Sequence, residues 1–250
     1  MKKYIPNGLT LLNLLCGVIA VVMAVQGNLI FAAYFVFAGI FFDFFDGLAA
    51  RLLKVQSDLG IQLDSLADMV TSGVVPGIVM FQLFYMSMGS YTWGEEGNEI
   101  GNLNMDISLL AIFGFLITLG SAYRLAKFNI DENQVSSFIG LPTPANALLI
   151  LSFPLMLHFQ PGAFDALILN KWFLIGTTIL STYMLNAPIA LFALKFKTWA
   201  FKENSIRYVF LALSLVLLLT LHYAAIPLII ILYVLFSVAT NFQQKNKAFK

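Results

Sequence analysis

Apolar residues along the chain fall into eight long runs, near residues 8–26, 29–53, 66–88, 106–127, 143–159, 171–194, 206–222 and 224–242, separated by short polar breaks. A helix needs about 20 residues to cross a hydrocarbon core of roughly 30 Å, and each run meets or approaches that length. Strands of a membrane barrel would alternate apolar and polar residues, whereas LIFAAYFVFAGIFF and IPLIIILYVLF are apolar on every side. The pattern therefore predicts an all-α, polytopic membrane protein built as a bundle of about eight transmembrane helices.

Composition agrees with that reading. With 60% hydrophobic residues, 11% charged residues, 24 Phe and a mean hydropathy of +0.85, 250 residues cannot hide their apolar surface inside one water-soluble globule. Basic residues test the topology, because short cytoplasmic loops retain Lys and Arg. With the N-terminus inside, 13 of the 14 basic residues sort to the cytoplasmic face and only Lys171 falls outside. Both termini are then cytoplasmic, and the long outer segment GSYTWGEEGNEIGNLNMD carries acids and no base. A cleaved signal peptide at the N-terminus would leave seven spans and unbalance this sorting. Moreover, Asn7, Thr10 and Asn13 recur at helical spacing, as one polar stripe on a retained helix would. Cys16 is the sole cysteine, so no intramolecular disulfide or thiolate metal site is expected. Residues 1–250 read as a single membrane-embedded domain without soluble module or repeat, and no nucleic-acid partner is expected.

The polar chemistry concentrates in DFFDGLAARLLKVQSDLGIQLDSLAD, residues 43–68, which holds five of the chain's 13 acidic residues. The second helix enters from outside near Leu29, so at 1.5 Å per residue Asp43 lies about 21 Å deep, within the inner part of the hydrocarbon layer. Asp46 follows one turn later. The next helix returns with Asp64 and Asp68, and spacings of three and four keep each pair on one face. A short turn makes the two helices antiparallel, so four carboxylates converge near the inner membrane surface. Unpaired, they would repel one another, and the cluster makes sense only with compensating cations. Hard oxygen ligands in this number select Mg²⁺, Mn²⁺ or Ca²⁺, and two ions can be held. Gly47 and Ala50 leave room for a bulky ligand, and Arg51 suits an anion with several oxygens, most simply a diphosphate. The set points to phosphoryl transfer at a membrane surface. Taken alone, Arg51 and Lys54 also serve as ordinary positive-inside anchors.

These residues fill the pattern D-x-x-D-G-x-x-A-R, eight residues, G-x-x-x-D-x-x-x-D at Asp43, Asp46, Gly47, Ala50, Arg51, Gly60, Asp64 and Asp68. The chain thereby resembles the CDP-alcohol phosphatidyltransferases. IPNGLTLLNLLCG at the start, YRLAKFN at 123–129 and GLPTPANA at 140–147 look like the phosphatidylserine synthase branch, with Lys127 standing where the pattern leads one to expect arginine. The resemblance implies transfer of a phosphatidyl group from CDP-diacylglycerol to the hydroxyl of L-serine, with release of CMP. It implies that Asp43, Asp46 and Asp64 bind metal and that Asp68 both touches metal and acts as general base. Two divalent cations, Mg²⁺ or Mn²⁺ with Ca²⁺ as the alternative, would be the cofactors. Asp43, Gly47, Ala50, Arg51 and Gly60 would accommodate the cytidine diphosphate group, joined by Asn7 and Thr10. Serine's carboxylate needs a cation, and Arg124 and Lys127 at the inner end of the fourth helix are the candidates. A homodimer in a bacterial cytoplasmic membrane, in contact with membrane lipid and with its site on the cytoplasmic face, completes the expectation.

Two rivals remain open. Within the family the acceptor is alternatively glycerol 3-phosphate or inositol phosphate, although an acceptor phosphate would want a larger basic pocket. Outside it, four membrane carboxylates could serve a divalent-cation transporter, which predicts polar residues on several helices near the midplane rather than at one face.

Overall fold

The computed structural model describes residues 4–89, 108–130, 138–191 and 201–248. The expected exported segment, most of the 195–205 connection and the extreme termini lie outside the described residues.

Helices α1 (Tyr4–Val25) and α2 (Leu29–Leu53) form an antiparallel hairpin. Its turn is sharp because Gly27 takes φ +78° and Asn28 accepts the Phe31 N–H at 3.3 Å, capping α2. The other end of α2 is closed by Lys54 at φ +54°, whose neighbour Val55 donates back to the Ala50 carbonyl at 3.0 Å. Ser57 then caps α3 (Asp58–Ser87) by accepting the Gly60 N–H at 3.1 Å, so Asp64 and Asp68 lie well inside a helix.

Helix α3 is the central post. It widens into a π turn over Met69–Val74, immediately after Asp68 and before Pro76, whose ring cannot sit against the carbonyl one regular turn back. Beyond the turn, ten residues of Val75–Ser87 are buried, among them Val79, Met80, Leu83 and Phe84. The hairpin closes tightly on the π turn. A Cβ on Gly39 would lie 2.7 Å from the Thr71 methyl and 2.8 Å from the Asn13 side-chain oxygen, and one on Gly17 would strike Thr71. Small residues thus let α1 and α2 approach α3, the device by which helices associate in lipid.

Helix α4 (Leu109–Ile130) runs back antiparallel to α3 with a 3₁₀ turn at Phe113–Phe115. Helices α5 (Thr143–Phe159) and α6 (Lys171–Asn186) complete the core around Ile150, Leu151, Leu155 and Leu174. Helix α6 stops eight residues short of the expected 194, because Pro188 follows and forces Ala187 into an extended conformation. Chain just beyond it pairs antiparallel with the start of the 140s loop, β1 (Phe138–Ile139) against β2 (Ala190–Leu191). Helices α7 (Phe201–Leu221) and α8 (Ala225–Ala248) fold back on each other at His222, φ +50°, so the Phe210 ring meets Tyr233 at 5.9 Å.

Among the described residues, five helical stretches are long and apolar enough to cross a membrane: α1, α2, α3, α4 and residues 204–241. Of the remaining expected spans, α5 is apolar but has 17 residues and α6 has 16, while the last two runs share one 38-residue stretch bent at His222. Among the described residues, the regular structure is all helical apart from the two-residue pairing.

Candidate active site

Asp43 and Asp46 sit one turn apart in the second half of α2, and Asp64 stands on α3 across the Lys54–Ser57 turn. One carboxylate oxygen from each lies within 4.8 Å of the others. Thr10 from α1 reaches the same point, its hydroxyl donating to Asp46 at 2.6 Å while also lying 3.1 Å from the Pro6 carbonyl. Oδ1 of Asp64 is buried with no hydrogen-bond partner. Three anionic groups this close, with an orphaned oxygen among them, form an all-oxygen ligand set suited to a hard divalent cation. Arg51 donates its Nε to the Gly47 carbonyl at 2.9 Å, one turn back on the same helix.

Asp68 lies one turn beyond Asp64 and outside this triad. Its Oδ1 accepts from the Asn13 amide at 3.3 Å, which fixes the plane of the carboxylate. Asn13 was visible in the sequence only as the third member of the α1 polar stripe. Its role as partner of Asp68 needed the fold, since the two residues are 55 apart in the chain.

A cleft of about 490 Å³ opens beside the carboxylates, large enough for a nucleotide. It is lined by Asn7, Thr10, Asp46, Gly47, Ala50, Arg51, Gly60 and Asp64, which brings together every residue expected to accommodate the cytidine diphosphate except Asp43. Gly47 is open toward this space, where an added Cβ would find only the Arg51 guanidinium, at 3.9 Å. Gly60 is more closely surrounded: an added Cβ would lie 3.3 Å from the capping Ser57 hydroxyl and 3.4 Å from the Asn7 side chain. Gln56, Ser57, Ile61 and Phe128 also line the cleft. Phe128 sits inside the YRLAKFN stretch but carries no polar signal that would single it out.

Arg124 from α4 is 8% exposed and within electrostatic reach of Asp68. Lys127, one turn later, is exposed and does not line the cleft. At the mouth, Asn129 accepts from Ser65 at 3.0 Å and donates to Gln62 at 3.2 Å, tying α4 to α3 on either side of Asp64.

Comparison with known proteins adds an independent line. Residues 3–184 match the CDP-alcohol phosphatidyltransferase family. Similar curated proteins include a CDP-diacylglycerol–serine O-phosphatidyltransferase of Bacillus subtilis (strain 168), 36% identical over 178 residues that cover 68% of this chain and 88% of the relative. A protein of the same name from Helicobacter pylori (strain ATCC 700392 / 26695) is 34% identical over 182 residues, 70% of this chain and 69% of the relative. One from Methanocaldococcus jannaschii is 31% identical over 149 residues, covering 60% and 59%.

Proposed function

The chain belongs to the CDP-alcohol phosphatidyltransferase family, and on that premise we propose that it makes phosphatidylserine, transferring the phosphatidyl group of CDP-diacylglycerol to the hydroxyl of L-serine. The observation that carries this reading is the meeting of the Asp43, Asp46 and Asp64 triad with a nucleotide-sized cleft, next to Asp68 and the buried Arg124. The names of the relatives support serine as the acceptor.

Two divalent cations, Mg²⁺ or Mn²⁺, would be held by the triad together with Asp68 and would neutralise charge on the diphosphate and on the departing CMP. Arg51, Gly47 and Ala50 seat the cytidine diphosphate, while Asn7 and Thr10 shape the α1 side of the cleft. A serine hydroxyl is a weak nucleophile and needs a base within hydrogen-bond reach. Asp68 fills that role, since Asn13 occupies one carboxylate oxygen and leaves the other for the proton. The serine oxygen attacks the phosphorus bonded to diacylglycerol, the new P–O bond forms as the bond to the CMP oxygen breaks, and CMP leaves with that electron pair. The hydroxyl proton passes to Asp68. No covalent enzyme intermediate is needed.

Eight spans in one membrane-embedded domain, with both termini and the catalytic face in the cytoplasm of a bacterial inner membrane, follow from the sorting of basic residues. Family resemblance supports a homodimer. In intact cells lacking Cys16, a membrane-impermeant thiol probe should modify Gly97→Cys and spare Ala200→Cys; the reverse labelling would invert the topology.

The activity is tested with purified protein, CDP-diacylglycerol and serine, glycerol 3-phosphate or inositol phosphate, following CMP release. Serine should support turnover and chelation of divalent ions should stop it. Preference for a phosphorylated acceptor would move the protein to another branch of the family.

A further inference from the structure

Helix α8 meets the rest of the bundle along one stripe. Ile226, Ile230, Tyr233, Val234, Ser237 and Asn241 recur at spacings of three and four, which places them on one face. Ile230 and Ser237 are buried, and Ile226, Tyr233 and Val234 pack around Ile230, Leu141 and Leu191. Leu228, Ile231, Leu235 and Val238, on the opposite face, are exposed toward lipid. At the end of the stripe the Asn241 amide donates to the Ala190 carbonyl of β2 at 2.6 Å. The rotation of α8 about its own axis is therefore set, and it turns Tyr233 inward.

The Ser237 hydroxyl of this stripe is satisfied locally, donating to the Tyr233 carbonyl at 2.7 Å. The Tyr233 phenol is a different matter. It lies midway along residues 225–241, away from the membrane interfaces where tyrosine concentrates. A hydroxyl at that depth needs a partner within the protein. Arg124 of α4 is within electrostatic reach of it, and the same guanidinium is within reach of Asp68. Phe210 of α7, 4% exposed, steadies the Tyr233 ring with its centroid at 5.9 Å, so both helices of the hairpin fix where the phenol points. Arg124 for its part is almost wholly buried and carries five N–H donors that must find acceptors inside the protein. A carboxylate and a phenol oxygen are acceptors of the kind it needs.

We propose that Tyr233 is a positioning residue for the transfer reaction: its phenol oxygen accepts from the Arg124 guanidinium and keeps that long side chain directed at Asp68. Without the hydroxyl, Arg124 regains rotamers that do not serve the reaction, at the expense of the productive one. Tyr233 touches neither cation nor substrate, so the hairpin contributes orientation rather than chemistry. The family match ends at residue 184, which puts this contribution outside the shared region. The assignment rests on the phosphatidyl-transfer reading above and adds to it a residue of the C-terminal hairpin.

Tyr233→Phe removes only the hydroxyl and keeps the ring against Phe210. Full-length purified Tyr233→Phe, Arg124→Ala and the double variant are compared with the parent by CMP release, varying serine and CDP-diacylglycerol separately. Tyr233→Phe should raise the serine KM about three- to tenfold with the KM for CDP-diacylglycerol within about twofold. Added to Arg124→Ala it should change nothing further, because the group it positions is gone. A Tyr233→Phe protein that matches the parent overturns the proposal, as do losses that multiply in the double variant or fall equally on both substrates. If the parent rejects serine and uses another alcohol, the serine reading falls by itself, and the same three variants assayed with that alcohol decide Tyr233. A parent that releases no CMP with any acceptor overturns both.

Discussion

Helix α3 and the α7–α8 hairpin are both long apolar stretches, yet 67% of the apolar window of the first is buried in protein against 17% for residues 204–241. Lipid is as apolar as leucine, so hydrophobicity does not tell a helix which neighbour to choose. The difference lies in the small and polar residues. Helix α3 carries Gly60, Gly73 and Gly77 with Asp64, Asp68, Thr71 and Ser72, and its neighbours contribute Gly17, Gly39, Asn13 and Arg124. Residues 201–250 contain no glycine, and lipid-facing leucines such as Leu215 and Leu219 are 58% and 70% exposed. The family match ends at residue 184, before the hairpin begins. The site is thus built where helices can come close, and the hairpin packs beside that structure through Ile230, Leu141 and Leu191.

The sharpest way to break this comparison is to remove a polar group from each region. Asp46→Asn, Asp64→Asn or Asp68→Asn should each lower kcat by about 10²–10⁴ while the protein still inserts, because a cation ligand or the proton acceptor is lost. In the hairpin, Ser214→Ala also removes a buried polar group but should leave kcat within about twofold. CMP release by purified variants measures both. Comparable losses would mean that the hairpin belongs to the catalytic machinery.

The same contrast explains what could be read in advance. The four aspartates were legible because membrane carboxylates are costly and their spacings of three and four need only helical geometry. Most of the nucleotide cleft followed, since Gly47, Ala50 and Arg51 continue one helix face. Contacts between distant segments were not legible: Asn13 with Asp68, Ser121 against Gly73, or Gly39 against Thr71 depend on how the helices cross. The π turn is hinted at only by Pro76, whereas the reversal at His222 falls at the break between the runs ending at 222 and starting at 224, with Pro227 in the first turn of the helix that follows. Runs of leucine reveal a span but not its packing, which is why the last two runs were easy to find and hard to place.

Packing should show the next largest effect. Gly39→Leu drives a side chain into Thr71 and Asn13, and overpacking of this kind costs about 1–3 kcal/mol. Leu219→Ala trims a chain that faces lipid and should cost far less. Thermal unfolding in one detergent compares the pair. Equal midpoints would refute the tight crossing of α1 and α2 over the π turn.

Arg124 and Lys127 sharpen the comparison within one helix, since they are one turn apart and differ in burial. Loss of a charge-assisted contact is worth about 1.5–3 kcal/mol, or roughly ten- to a hundredfold. Arg124→Ala should raise the serine KM by about that factor with CDP-diacylglycerol within a few-fold. Lys127→Ala should change neither by more than about threefold, as befits an interfacial anchor. If Arg124→Ala instead weakens the nucleotide lipid and spares serine, the residue belongs to the phosphate side.

The smallest effect concerns two side-chain amides that clip neighbouring elements together, one in each region. Asn129 joins α4 to α3 through Ser65 and Gln62, flanking Asp64. Gln160, at the end of α5, donates to the Leu221 carbonyl at 3.2 Å and accepts from the Ala224 N–H at 3.1 Å, holding the bend of the hairpin. Each clip makes two hydrogen bonds at least partly open to solvent, so water replaces much of what alanine removes and the net loss sits near the low end of about 0.5–1.5 kcal/mol per bond. The consequences should nonetheless differ. Releasing Asn129 loosens the helix that carries Asp64, so Asn129→Ala should raise the Mg²⁺ or Mn²⁺ concentration for half-maximal activity about two- to fivefold with little change in kcat at saturating metal. Gln160→Ala touches no element of the site and should leave metal dependence and serine KM as they were, while amide hydrogen exchange around residues 221–225 quickens. A metal titration of both variants decides it: a shift with Gln160→Ala equal to that with Asn129→Ala would show that the hairpin bears on the cation ligands after all.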